Sequence, residues 1–108
     1  MFGNKAQMQS MMKKARKMQE DMARAKEEIK HMTVDVTVGG GAVSLTMNGE
    51  HQVTALHISP DAIDPADVEM LEDLITTAVN EASRKADAVV QAEMQKITSG
   101  LQLPGGLF

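Results

Sequence analysis

Residues 33–59 read TVDVTVGGGAVSLTMNGEHQVTALHIS, and the alternation within them decides the fold class. Thr33 to Val38 is a strict alternation of β-branched residues, broken only by Asp35, with Val34, Val36 and Val38 in one parity. Successive side chains of a strand point to opposite faces, so those three valines share one side and can face a core. Gly39, Gly40 and Gly41 supply a flexible turn, and Ala42 to Met47 alternates again with Val43, Leu45 and Met47 on a common face. Asn48-Gly49 is a strong hairpin signal, because both residues tolerate positive φ. A third strand is expected from about Gln52 to Ile58, but its parity does not fit a two-residue turn. Such a turn pairs Leu45 with Gln52 and sends Val53 to the other face, while Leu56 and Ile58 keep the parity of Gln52. A bulge or longer loop between Glu50 and Ala55 is needed to reset it. Residues 33–59 therefore form a three-stranded antiparallel sheet.

Upstream of the sheet, small or apolar residues fall at Met8, Met11, Ala15, Met18, Met22, Ala25, Ile29 and Met32, in alternating steps of three and four. That spacing is a heptad seam, which makes residues 1–32 one long amphipathic helix. Gly and Pro are absent from Asn4 to Thr37, so nothing in the sequence breaks it. The seam is narrow and partly alanine, so the helix needs a partner to cover it.

Downstream, Ser59-Pro60 ends the sheet. Asp64-Pro65 offers an N-cap followed by proline at the first helical position, with Asp67 adding charge that suits a helix start. Val68, Leu71, Leu74, Ile75, Ala78, Val79, Ala82, Ala86, Val89, Val90 and Ile97 continue as a helical stripe. Residues 60–99 thus form a capped long helix, with a C-cap near Gly100 and a flexible tail over 100–108. The class is α+β: long helix, three-stranded sheet, long helix, in a single domain.

Length then argues for a second chain. The two helices span roughly 40 and 50 Å at about 1.5 Å per residue, while a compact globule of this size has a radius of gyration near 13 Å. Helices that long project beyond a three-stranded sheet, and their apolar seams need a cover. A second copy of the chain is the simplest one, so a homodimer with projecting helical arms is expected.

Composition removes most chemistry. The chain of 108 residues is 43% hydrophobic, which supports a folded core, yet Phe2 and Phe108 are its only aromatics. The core is aliphatic, and most of the ten methionines read as gap-filling in helix seams. There is no cysteine, hence no disulfide, thiolate ligand or thiol nucleophile. The opening MFGNKAQMQSMMKK lacks the apolar region of a signal peptide, and no apolar run reaches the length of a membrane span. A cytoplasmic protein with no membrane partner is the expectation. His31, His51 and His57 lack the spacing of a helical zinc pair. Asp61, Asp64 and Asp67 lack the calcium-loop pattern and are explained by capping. The Gly39–Gly41 run leads into a strand instead of a helix, without the Lys-Ser/Thr of a phosphate loop. No serine sits in a nucleophile elbow. No catalytic residue, cofactor or metal site is expected, and the chain does not read as an enzyme.

The charge distribution is more telling than the net charge of −4. Residues 1–30 carry eight Lys/Arg against four Asp/Glu, whereas residues 31–108 carry three against eleven. This is a basic arm on an acidic body. With the seam at heptad positions a and d, Lys13 falls at f, Arg16 and Lys30 at b, and Lys17 and Arg24 at c, all facing away from it. Lys14 and Lys26 flank it. Lys13, Lys14, Arg16 and Lys17 form a dense group with no acid among them, and a dimer would present that group twice to a polyanion. With no Trp or Tyr and no Phe on the sheet, base stacking is excluded, which disfavours single strands and RNA motifs. Backbone contact to double-stranded DNA with weak sequence preference fits best.

The whole chain resembles the YbaB/EbfC family of nucleoid-associated DNA-binding proteins. The resemblance rests on the MFG start, the Met/Gln/Lys-rich first helix, Met47-Asn48-Gly49 and Ile58-Ser59-Pro60. It extends through Met70-Leu71-Glu72-Asp73-Leu74 with Ala78, Asn80, Ala82 and Lys85, to Ser99-Gly100 and Leu103-Pro104-Gly105-Gly106. It implies a helix–sheet–helix fold, a tweezer-like homodimer with projecting arms, a place in the nucleoid and a part in chromosome organisation. It also implies DNA contact from the arms, which transfers here to Lys13, Lys14, Arg16, Lys17 and Arg24, with Arg84 and Lys85 on the second helix. Two other roles stay open: an adaptor whose Met-rich arms grip replication or repair proteins without touching DNA, and a purely structural dimer.

Overall fold

The computed structural model describes residues 2–100, with side chains described over 4–97. In chain order it holds α1 (Phe2–His31), β1 (Thr33–Val38), β2 (Val43–Asn48), β3 (Val53–Ile58), a 3₁₀ turn at Pro60–Ala62 and α2 (Val68–Gly100). The strands form one antiparallel sheet in the order β1-β2-β3. The tail expected to be flexible lies outside the described residues.

The valine parity sets the sheet's inner face. Val34 pairs with Met47, Val36 with Leu45 and Val38 with Val43. Val36, Val43, Leu45 and Met47 are buried together with Ala78, Ala82 and Ala86 of α2, while Leu71, Leu74, Ile75 and Val79 pack around them. The alanines let the helix approach the sheet closely; the larger residues flanking them close its sides. The opposite face is polar, with the Thr46 hydroxyl donating to Asp35 Oδ1 at 2.7 Å and Thr37 beside Ser44.

The expected parity reset is a bulge. Thr46 pairs with Ala55 and Met47 with Val53, so Thr54 is the extra residue. Beyond it Leu56 stands opposite Leu45 and Ile58 opposite Val43, on the inner face. The hairpin preceding the bulge differs from the two-residue turn suggested by Asn48-Gly49. Its loop is Gly49–Glu50–His51, and the positive φ of 63° falls on His51. Asn48 is consumed in closing this loop: Oδ1 accepts the backbone N–H groups of Glu50 and Gln52, and Nδ2 donates to Gln52 Oε1. His51 Nε2 lies 2.7 Å from Asp87 Oδ1, joining the loop to α2. Gly49 serves close approach instead of φ. Its N–H donates to the Met32 carbonyl at 3.0 Å, and a Cβ there would overlap the Ile29 carbonyl and lie 2.6 Å from Ile29 Cγ2.

The second helix begins later than the Asp64-Pro65 pair suggests. Asp64 Oδ1 accepts the N–H of Ala66, and the Asp64 carbonyl accepts that of Asp67, so Asp64 to Asp67 is a turn. Asp67 is the N-cap, its Oδ1 accepting the Met70 N–H at 3.3 Å. Aspartate before proline suits a turn start as well as a cap, and the turn prevails here.

The molecule measures 79 × 25 × 16 Å, with a radius of gyration of 21.6 Å, well above the roughly 13 Å of a compact chain of this length. The excess is the helices. α1 touches α2 and β2 towards its C-terminal end, where Ala25 is buried and Ile29 half-buried. Every residue from Asn4 to Glu20 is exposed, a free arm of about 25 Å at 1.5 Å per residue.

Candidate nucleic-acid interface

The arm is exposed because only the C-terminal part of α1 meets the rest of the chain. The seam's C-terminal members Ala25, Ile29 and Met32 are covered by the rest of the chain, while Met8, Met11 and Met18 are not. The 3-4 spacing is uniform along the helix, so the pattern alone gave no sign of this division.

Lys13, Lys14, Arg16 and Lys17 all fall in the free part and are exposed. Their spacing is one helical turn: Lys13 stands three and four residues before Arg16 and Lys17, and Lys14 three before Lys17, so they crowd one another. Among the described residues the ion pairs of α1 lie further on, Asp21 with Arg24 at 3.5 Å, and Glu27 with Lys30 at 3.4 Å and with the His31 ring at 3.5 Å. The four cations make none of these pairs. Like charges held together without acids raise the local potential, and an incoming phosphate relieves the repulsion.

The other cations differ. Arg24 is exposed but engaged by Asp21, so a phosphate there competes with a carboxylate. Arg84 is exposed on α2. Lys85 Nζ donates to the Asp35 backbone carbonyl at 3.2 Å, tying α2 to β1. Both residues are exposed, and Lys85 differs from Arg84 in that its ammonium already has a backbone acceptor. Lys5, not among the residues singled out from the sequence, lies in the same exposed, acid-free segment and extends the ridge by two turns. The absence of any Asp or Glu before Glu20 is the signal that points to it.

Several of the other residues weighed from the sequence are held in structural contacts. Asp64 and Asp67 are taken up by the turn and the cap, and His51 by Asp87. Among the described residues no helix is long and apolar enough to cross a membrane.

The chain is thus an α+β protein of helix–sheet–helix order that carries an exposed basic arm. Residues 4–101 match the sequence profile of the YbaB/EbfC DNA-binding family, and the chain belongs to that family. It is a family of DNA-binding proteins, not of enzymes. A protein named nucleoid-associated protein from Ruminiclostridium cellulolyticum is 48% identical over 101 residues, covering 94% of this chain and 88% of the relative. One of the same name from Acetivibrio thermocellus is 52% identical over 99 residues, covering 92% and 88%. The crystal structure of an uncharacterized protein from Helicobacter pylori shares the fold, with a TM-score of 0.68 at 19% identity over 78% of this chain and 88% of that one.

Proposed function

We propose that this protein binds double-stranded DNA in the nucleoid as a homodimer, through phosphate contacts from the free arms of α1. Family membership supports DNA as the ligand, and the names of the relatives support the nucleoid. The observation that carries the choice of surface is the exposed arm, in which Lys13, Lys14, Arg16 and Lys17 stand together without an acid. Lys5 and Arg24 extend the ridge at either end; Arg84 is a secondary contact, and Lys85 contributes only where the duplex displaces it from Asp35. Aromatic platforms are missing from the sheet, so contacts to the backbone dominate.

The dimer is supported by apolar surface left open in the body. α2 lies across β1 and β2, and Val53 and Leu56 on the inner face of β3 are exposed at 46% and 49%. A second copy covering that face would leave both arms free, the tweezer-like arrangement.

The test is retention of unrelated duplexes at several salt concentrations. If about four to six phosphates are neutralised per dimer, the logarithm of the binding constant falls with that of salt at a slope of about −4 to −5. Simultaneous reversal of Lys13, Lys14, Arg16 and Lys17 to Glu should abolish retention while light scattering still reports the dimer. Undiminished binding by that variant removes the arm from the mechanism.

A further inference from the structure

We propose that the free end of α1 is also an amphipathic lipid-binding helix, which lies on anionic bilayer surfaces. Phosphate contact uses the arm's cations and leaves its methionines without a role. Met8, Met11, Met12 and Met18 are 62%, 69%, 61% and 41% exposed, a large apolar investment in water for one short segment. Projected down the helix axis at 3.6 residues per turn, they fall with Ala15 in a single sector about 120° wide, shared only with Asn4 and Gln19 over residues 4–20. Met12 widens the stripe beyond the heptad seam, so Lys5 and Arg16 border that sector on one side and Lys14 on the other, while Lys13 and Lys17 stand opposite.

Charge complementarity selects the occupant. An apolar stripe flanked by Lys and Arg, with no carboxylate before Glu20, fits a surface that is apolar below and anionic above. The thioethers enter the acyl boundary, the flanking stems run along it, and their charged ends reach the headgroup phosphates. A second copy of the same arm would set the cations that border the stripe, Lys5 and Lys14, against like charges, whereas a bilayer offers them phosphates. Such a helix lies on the surface without crossing it, so the proposal is compatible with the lack of any membrane-crossing helix among the described residues. DNA and bilayer then compete for one set of cations, and only the bilayer needs the methionines.

The experiment is co-sedimentation of the intact protein with vesicles of equal parts phosphatidylglycerol and phosphatidylcholine, beside pure phosphatidylcholine. The variant replaces Met8, Met11, Met12 and Met18 together by Gln, which keeps helix propensity and charge. The wild type should bind the anionic vesicles only, and duplex DNA should release it. The variant should lose vesicle binding about tenfold or more while duplex retention stays within about twofold. Three results overturn the proposal: a wild type that ignores anionic vesicles, a variant that binds them equally well, or a variant that falls to monomers, which would make the stripe a subunit interface. Vesicle binding without duplex retention would leave this proposal standing and remove the DNA reading instead.

Discussion

At Gly49 the first helix meets the sheet with no room for a side chain. Its φ is not left-handed, so alanine there gains about 0.4–1 kcal/mol by restricting the unfolded chain. The methyl group would, however, overlap the Ile29 carbonyl and crowd Ile29 Cγ2, and displacing a helix backbone outweighs that gain at about 1–3 kcal/mol. Gly49→Ala should therefore lower the urea midpoint and loosen the base of the arm; an unchanged midpoint would show that the helix can shift without cost. The neighbouring glycine run acts differently. Gly39 has a φ of 64°, and a Cβ on it would lie 2.9 Å from Leu74 Cδ2, so there the backbone conformation and the approach of α2 both require glycine. Sequence reading identified both sites as turns but assigned Gly49 the wrong reason, since close approach between distant segments leaves no local signature.

Among the elements, α2 shows how two plausible starts are resolved. Asp67 caps the helix through the Met70 N–H, while Asp64 closes the turn before it. Asp67→Ala should cost about 1 kcal/mol, and Asp64→Ala less, since a solvated turn can be replaced by water. Equal losses in thermal unfolding of the two variants would contradict that division. The strands were legible because their alternation is uninterrupted, and the mismatch between Gln52 and Leu56 was enough to require the bulge at Thr54. The helix start was not legible, because Asp-Pro serves turn and cap alike. Nor was the boundary within α1 between its covered base and its free arm, because a seam records which residues face one way and not whether anything faces them. The group Lys13–Lys17 stood out in the sequence because no acid interrupts it; the use of Lys85 on Asp35 depends on residues fifty positions apart.

On the scale of the whole molecule, the body and the arm answer to different forces. The body is held by aliphatic contacts between the sheet and α2, and the arm by helix formation alone over its free length. Leu56→Asp places a charge on the uncovered face of β3, where Leu56 is half exposed and contributes little to the single chain. It should weaken the dimer by about tenfold or more with little change in the thermal stability of the monomer, as read by sedimentation and calorimetry. A variant that remains fully dimeric would move the interface away from β3. Charge substitutions in the arm should leave unfolding nearly unaffected, because none of those side chains reaches the core.

The long outline has a hydrodynamic consequence. A particle 79 Å long and 16 Å across its thinnest dimension meets more drag than a sphere of equal mass, so even a single chain of 11.7 kDa will leave a sizing column early and tumble slowly in anisotropy decay. Elution position alone would thus imitate association, and mass must be obtained from scattering intensity or sedimentation equilibrium, which do not depend on shape.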